Sequence, residues 1–96
     1  MPRFIVILEN IYLSRIYDSI AGVSFKMKKY EECLQMCNES LRIKLKLLGN
    51  QHIYTTKTYY LRGSASSELG DVNRGLIDLR YGLKIQLSRL RKREID

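Results

Sequence analysis

The chain has 96 residues, which is enough for one small domain with a limited core. With 45% hydrophobic and 28% charged residues it lacks the composition of a disordered chain, and its single proline, Pro2, leaves helices uninterrupted beyond that point. The formal charge of +7 suits an acidic partner, an anionic surface or simple solubility.

The beginning of the chain carries a short apolar run, Phe4 to Leu8. A run of five is too short for the core of a signal peptide and for a membrane span. Two cysteines, Cys33 and Cys37, and one distant histidine are too few for a structural zinc site and favour a reducing compartment. We therefore expect a cytoplasmic protein without a metal or a cofactor.

Apolar residues at helical spacing predict four helices and an all-α fold. Charged or glycine-containing breaks separate them, at Lys28-Lys29 and at Gly70-Asp71. One stretch, HIYTTKTYY, has the composition of a strand, but its place in the repeat described next favours a helix. The leucines of the fourth helix would form an apolar side with no successor, which suggests a truncated array, a fragment of a longer protein or a chain that self-associates. The predicted helices cover about residues 12–27, 30–48, 53–69 and 72–92.

Two halves of the chain match when the sequence is shifted by 42 residues. The shift superimposes the two breaks and places leucines of the second helix on leucines of the fourth. A period of this length built from two helices is typical of an α-solenoid. The leucine pairs are Leu34 with Leu76, Leu41 with Leu83, Leu45 with Leu87 and Leu48 with Leu90.

The segments KKYEECLQMCNESLRI and LGDVNRGLIDLRYGLKI resemble the turn and second helix of tetratricopeptide repeats. Helices that cross closely need small side chains, and the corresponding positions hold Cys33 and Ser40 in the first copy and Gly75 and Gly82 in the second. The ordinary repeat of this family has about 34 residues. The longer period of this chain is similar to the kinesin light chain subgroup.

The linker LLGNQHIYTT supports that subgroup resemblance. Its leucine, glycine, histidine and first threonine match the subgroup pattern, at Leu48, Gly49, His52 and Thr55. Isoleucine replaces the usual proline at Ile53, and threonine replaces alanine at position 56. The resemblance covers most of the chain, from about residue 12 to residue 90.

The resemblance implies two helical hairpins, with four antiparallel helices in a short right-handed α-solenoid. The expected organisation is a remnant of a preceding helix or a capping segment (1–11), a first repeat (12–48), a linker (49–54), a second repeat (55–92) and a basic or polar tail (93–96).

The family's fold also implies a concave groove that binds a peptide or helix of another protein, without catalysis. Arg15 and Lys57 are equivalent and both basic, which suggests an acidic or carboxylate-bearing segment held by charge-assisted hydrogen bonds. We expect no small-molecule substrate, and neither nucleic acid nor membrane as the main partner; exposed terminal repeats could also self-associate. The expected groove residues are Arg15, Asp18, Gly22, Phe25, Lys26, Lys57, Tyr60, Ser64, Ser67 and Glu68.

The histidine and the cysteines can each be interpreted as chemically active or as structural. His52 could act as a general base, but no nucleophile stands out beside it. The simpler interpretation is that Gly49 ends one helix in a left-handed cap and His52 helps to start the next. Cys33 and Cys37 could be redox-active, since Cys33 would lie in the first turn of its helix near Lys28 and Lys29, yet their place on the apolar stripe favours core packing.

The basic end of the chain supports the alternative function, a surface that binds RNA or anionic lipid. Aromatic residues that would stack on bases are missing from this segment. The simpler interpretation is a solvated end of the last helix. The basic residues concerned are Lys84, Arg89, Arg91, Lys92 and Arg93.

Overall fold

The computed structural model describes residues 3–95, with side chains for residues 3–93. It consists of four α-helices and one short 3₁₀ turn, and the described residues contain no strand, which confirms the all-α prediction and the helical interpretation of HIYTTKTYY. The elements are α1 (Arg3–Lys26), α2 (Tyr30–Leu48), the 3₁₀ turn (Ile53–Thr55), α3 (Thr56–Glu68) and α4 (Val72–Ile95).

Helix α1 is longer than predicted, because it begins at Arg3 and not at about Tyr12. No glycine or proline interrupts the chain between Arg3 and Tyr12, so the helix runs straight through this stretch. Residues 3–11, expected as the remnant of a preceding helix or a cap, are therefore continuous with the first helix of the first hairpin. Residues 1 and 2 lie outside the described part.

The other helix boundaries differ by a few residues. Helix α3 begins at Thr56, after the 3₁₀ turn, although the prediction starts it at Ile53. Helix α4 continues to Ile95, so most of the expected tail (93–96) is helical, and Asp96 lies outside the described residues.

The two turns between paired helices have the same hydrogen-bond pattern, displaced by 42 residues. Lys28 and Gly70 both have positive φ, at 62° and 98°. The amide of Lys29 donates to the carbonyl of Ser24 at 2.8 Å, and the amide of Asp71 donates to that of Ser66 at 2.9 Å. The amides of Lys28 and Gly70 also donate to the carbonyls three residues before them, so each turn is a Schellman motif that ends one helix and reverses the chain.

Small buried residues let the helices approach closely. Ala21, Cys33 and Cys37 pack with Leu61 and Ala65, which joins α1, α2 and α3 in one apolar cluster. A second cluster joins α2, α3 and α4 through Leu41, Tyr59 and Ile85.

Helix α4 leaves most of its leucines outside its contact with α3, and only Leu79 lies at that contact. The positions in contact with α3 include Gly75, Asp78, Gly82 and Ile85, whereas Leu83 is 57% exposed. The expectation that the last helix leaves an apolar side uncovered is therefore confirmed for the part of the chain that the structure describes.

Candidate binding groove

A cavity of about 560 Å³ lies between α1, the end of α2 and the start of α3. Its volume is within the range of small-molecule binding pockets. Three of the predicted groove residues line it, namely Arg15, Asp18 and Lys57. Apolar side chains such as Ile11 and Leu47 line other parts of the wall.

A buried lysine that the sequence analysis did not single out holds this region together. Lys44 of α2 forms an ion pair with Asp18 of α1, and both side chains are only 8% exposed. The same ammonium group donates to the carbonyl oxygen of Tyr54 at 2.9 Å and to Oγ1 of Thr58 at 3.1 Å. Its three protons therefore have three acceptors on α1, the 3₁₀ turn and α3.

The carboxylate of Asp18 is fully engaged in the same network. One oxygen accepts from Lys44, and the other accepts from the hydroxyl of Thr58 at 2.8 Å. Asp18 therefore lines the cavity as an internal acceptor, and its carboxylate is not free for a ligand. A sign of this was present in the sequence, because Lys44 follows Leu41 by three residues and so lies beside the apolar stripe of α2.

The electrostatic character of the cavity is positive. Arg15 and Lys57 are exposed at its wall, and neither forms an ion pair among the described residues. Lys44 and Asp18 compensate one another. Two uncompensated cations therefore remain at the wall, and they favour carboxylate or other anionic groups.

The remaining predicted groove residues are not gathered in this cavity. Tyr60 lies with Lys57 at a second, smaller cavity of about 380 Å³ that also contacts α4. Phe25 packs edge-on against Tyr30 with ring centroids 5.4 Å apart, and Ser67 lies against Gly75 of α4. None of Gly22, Lys26, Ser64 or Glu68 lines either of the two cavities.

The joint between α2 and α3 contains the histidine in a capping role. Nδ1 of His52 accepts from the backbone amide of Tyr54 at 3.2 Å, and the two rings lie 4.8 Å apart. The hydroxyl of Thr55 donates back to the carbonyl of His52 at 2.6 Å. His52 therefore starts the 3₁₀ turn, as the simpler interpretation predicted.

Gly49 ends α2 with a positive φ, as expected, but not in a left-handed helical conformation. Its φ is 82° and its ψ is 173°, and its amide donates to the carbonyl of Leu45 at 3.1 Å. A residue with a β-carbon rarely adopts this φ, so glycine is required here. The difference in ψ directs the chain out of the helix and into the turn at residues 50 and 51.

Both cysteines are fully buried free thiols. Burial raises the pKa of the Cys37 thiol strongly, and the neighbouring Cys33 raises it further. Burial also raises the pKa of the Cys33 thiol, against a smaller opposing effect of its hydrogen bond with Cys37. A thiol with a raised pKa has little thiolate at neutral pH and is a poor nucleophile, so the core-packing interpretation is confirmed.

We expect both thiols to resist alkylation in the folded chain. At pH 8, iodoacetamide should modify Cys33 and Cys37 slowly without denaturant and completely in urea, because unfolding removes the burial that raises their pKa values. Mass spectrometry after timed quenching measures both rates. Rapid modification of native protein at either position would contradict the burial of that thiol.

The described residues hold no group of three or more histidine, cysteine, aspartate or glutamate side chains that could bind a metal ion. Within the same residues, no helix has the length and apolar character needed to cross a membrane. No protein-family model, no curated protein and no solved structure matches the chain.

Proposed function

We propose that the chain is a tetratricopeptide-type interaction module of the 42-residue kind, and that its two hairpins form a short right-handed solenoid. Support comes from the two Schellman turns, which repeat the same hydrogen bonds after 42 residues. The joint between α2 and α3 also supports the proposal, because Gly49 ends the first helical pair and His52 begins the second. Fully buried Cys33 and Ser40 occupy positions where the family has small residues.

The function that this geometry supports best is the binding of an acidic segment of another protein, without catalysis. The observation that carries the proposal is that Arg15 and Lys57, which are equivalent in the repeat, line one cavity. A row of carboxylates could form charge-assisted hydrogen bonds to both. The network of Lys44 and Asp18 joins the helices that carry these cations, which supports a cavity that is preformed for a ligand.

A peptide titration tests this proposal. A fluorescein-labelled peptide of eight glutamates should bind the chain, and the double variant Arg15→Glu/Lys57→Glu should weaken binding at least about tenfold, a loss of about 1.4 kcal/mol. Fluorescence anisotropy gives the Kd, and circular dichroism should show unchanged helix content because both residues are exposed.

A matched control separates groove binding from general attraction by a basic protein. Lys29→Glu/Lys46→Glu makes the same formal charge change at exposed sites outside the cavity. It should weaken binding much less than the groove variant. Equal losses in both variants would mean that net charge alone attracts the peptide, and the groove assignment would be abandoned.

The alternative is a basic surface that binds RNA or anionic lipid, and one feature of α4 favours it. Arg80, Lys84, Arg91 and Lys92 lie together along one side of the helix. Neutralising Arg89, Arg91, Lys92 and Arg93 with glutamine should then abolish a salt-sensitive binding of an oligonucleotide or of phosphatidylserine vesicles. Binding of the glutamate peptide that survives this variant would favour the groove.

A further inference from the structure

The last helix has two apolar sides, and only one of them is covered. One side packs against α3 through Gly75, Gly82 and Ile85. The other side carries leucines at helical spacing that remain 41–58% exposed. They are Leu76, Leu83, Leu87 and Leu90.

The first helix shows the same feature in a stronger form. Its buried side consists of small or polar residues, which are Ser14, Asp18, Ala21 and Ser24. Its large apolar residues face outward at spacings of three and four, and they are 38–57% exposed. They are Leu13, Ile16, Ile20 and Val23.

The two uncovered faces correspond to the two faces that meet inside the chain. Shifted by 42 residues, Leu83 of α4 matches Leu41 of α2, which is 3% exposed and packs against Tyr59 of α3. On the other side, Ile16 of α1 matches Thr58 of α3, which is 0% exposed. The contact between α2 and α3 is therefore a template for a contact between α4 and an α1.

The charged groups of the internal contact are absent from the equivalent external one. Lys44, which needs Asp18 and Thr58 as partners inside the chain, is replaced at the equivalent position by Gln86. The position equivalent to Thr58 holds Ile16. A contact between α4 and α1 would therefore not bury the charge that Lys44 carries at the internal contact.

We propose that a second copy of this chain covers these faces, with α4 of one copy packed against α1 of the next. The contact joins two different faces, so it is heterologous, and copies can add head to tail. Two-helix repeats gain stability from stacked neighbours. Each copy carries a charge of +7, so copies repel one another, and added salt should strengthen the assembly by screening this repulsion.

Sedimentation velocity on the full chain tests the proposal in 50 mM and 500 mM NaCl. The wild-type chain should show species larger than a monomer, and their fraction should grow with protein concentration and with salt. Ile16→Glu and Leu83→Glu should each be monomeric, because each variant loses one of the two faces. Mixed in equal amounts, the two variants should form a one-to-one dimer through the faces that remain.

Matched controls make each outcome informative. Ile77→Glu places the same charge on α4 at a 65% exposed site whose equivalent, Gln35, is also exposed, so this variant should assemble like wild type. Ile16→Gln and Leu83→Gln repeat the test if a glutamate variant loses helix content.

Two results would overturn the proposal. A wild-type chain that stays monomeric at millimolar concentration in both salts would exclude the assembly. A dimer that survives in either single variant would show an interface between identical faces. The groove ligand plays no part in this contact, so failure of the peptide titration leaves the inference standing, and the reverse also holds.

Discussion

Replacing Lys44 with methionine is expected to lower the free energy of unfolding by about 3–5 kcal/mol, because it leaves the buried carboxylate of Asp18 without its counter-charge. The loss of one partner costs more than the pair contributes, since both groups were already removed from water. Urea denaturation followed by circular dichroism measures the change, and methionine keeps most of the volume of the lysine stem. For a domain of this size the loss is a large part of the total stability.

Lys46→Met is the matched control. Lys46 lies on the same helix, is exposed and takes part in no ion pair among the described residues. Its replacement should change the free energy of unfolding by no more than about 0.5 kcal/mol. If the Lys44 and Lys46 variants were equally stable, the buried network would not exist in solution.

A double-mutant cycle then tests the pairing itself. Asp18→Asn alone should also destabilise the chain, because the positive charge of Lys44 would lose its counter-ion. Combining Asp18→Asn with Lys44→Met removes both charges, so the double variant should be more stable than the sum of the single losses predicts. Additive losses would mean that the two side chains do not interact.

The sequence was informative about helices and their repetition, since both follow from local patterns. Apolar spacing located all four helices, and the 42-residue shift anticipated that Lys28 and Gly70 would occupy the same place in two turns. The start of α1 at Arg3 was missed. The local sequence of residues 3–11 is helical whether it is the end of a preceding helix or the beginning of α1, so the pattern alone does not separate the two.

The partners of Asp18 were harder to predict, because they come from tertiary packing. A residue 26 positions away supplies the counter-charge and one 40 positions away supplies a hydroxyl. The repeat gave no guidance here, since Gln86 and Tyr60 hold the positions equivalent to Lys44 and Asp18. Among the described residues the network occurs once, at the joint of the two hairpins, so the groove position that the family resemblance gave to Asp18 carried no sign of its buried partners.

The second large effect is expected at the crossing of α3 and α4. A β-carbon added to Gly75 would lie 2.6 Å from the carbonyl oxygen of Gly63 and 2.7 Å from the hydroxyl of Ser67. The oxygen belongs to the backbone, so relief requires the two helices to move apart. We expect Gly75→Ala to destabilise the chain by about 1–3 kcal/mol through this overpacking, although alanine favours the helix.

Gly22→Ala is the control, because an added β-carbon there would have no atom within 4 Å. Gly22 lies inside α1, so alanine should stabilise the chain by up to about 1 kcal/mol through helix propensity alone. Thermal unfolding should therefore show a lower melting temperature for Gly75→Ala and a higher one for Gly22→Ala. A stabilising effect of Gly75→Ala would mean that the helices are farther apart than the structure shows.

Comparison of the two hairpins also predicts how substitutions at Gly63 and Gly75 should combine. The positions of Gly63 and Gly75 are held in the first hairpin by Ala21 and Cys33, which are fully buried and well accommodated. The second hairpin therefore crosses more closely than the first at the same place in the repeat. In the double variant Gly63→Ala/Gly75→Cys, a single movement of α3 away from α4 would relieve both close contacts. The double variant should therefore lose less stability than the sum of the losses measured for the two single variants.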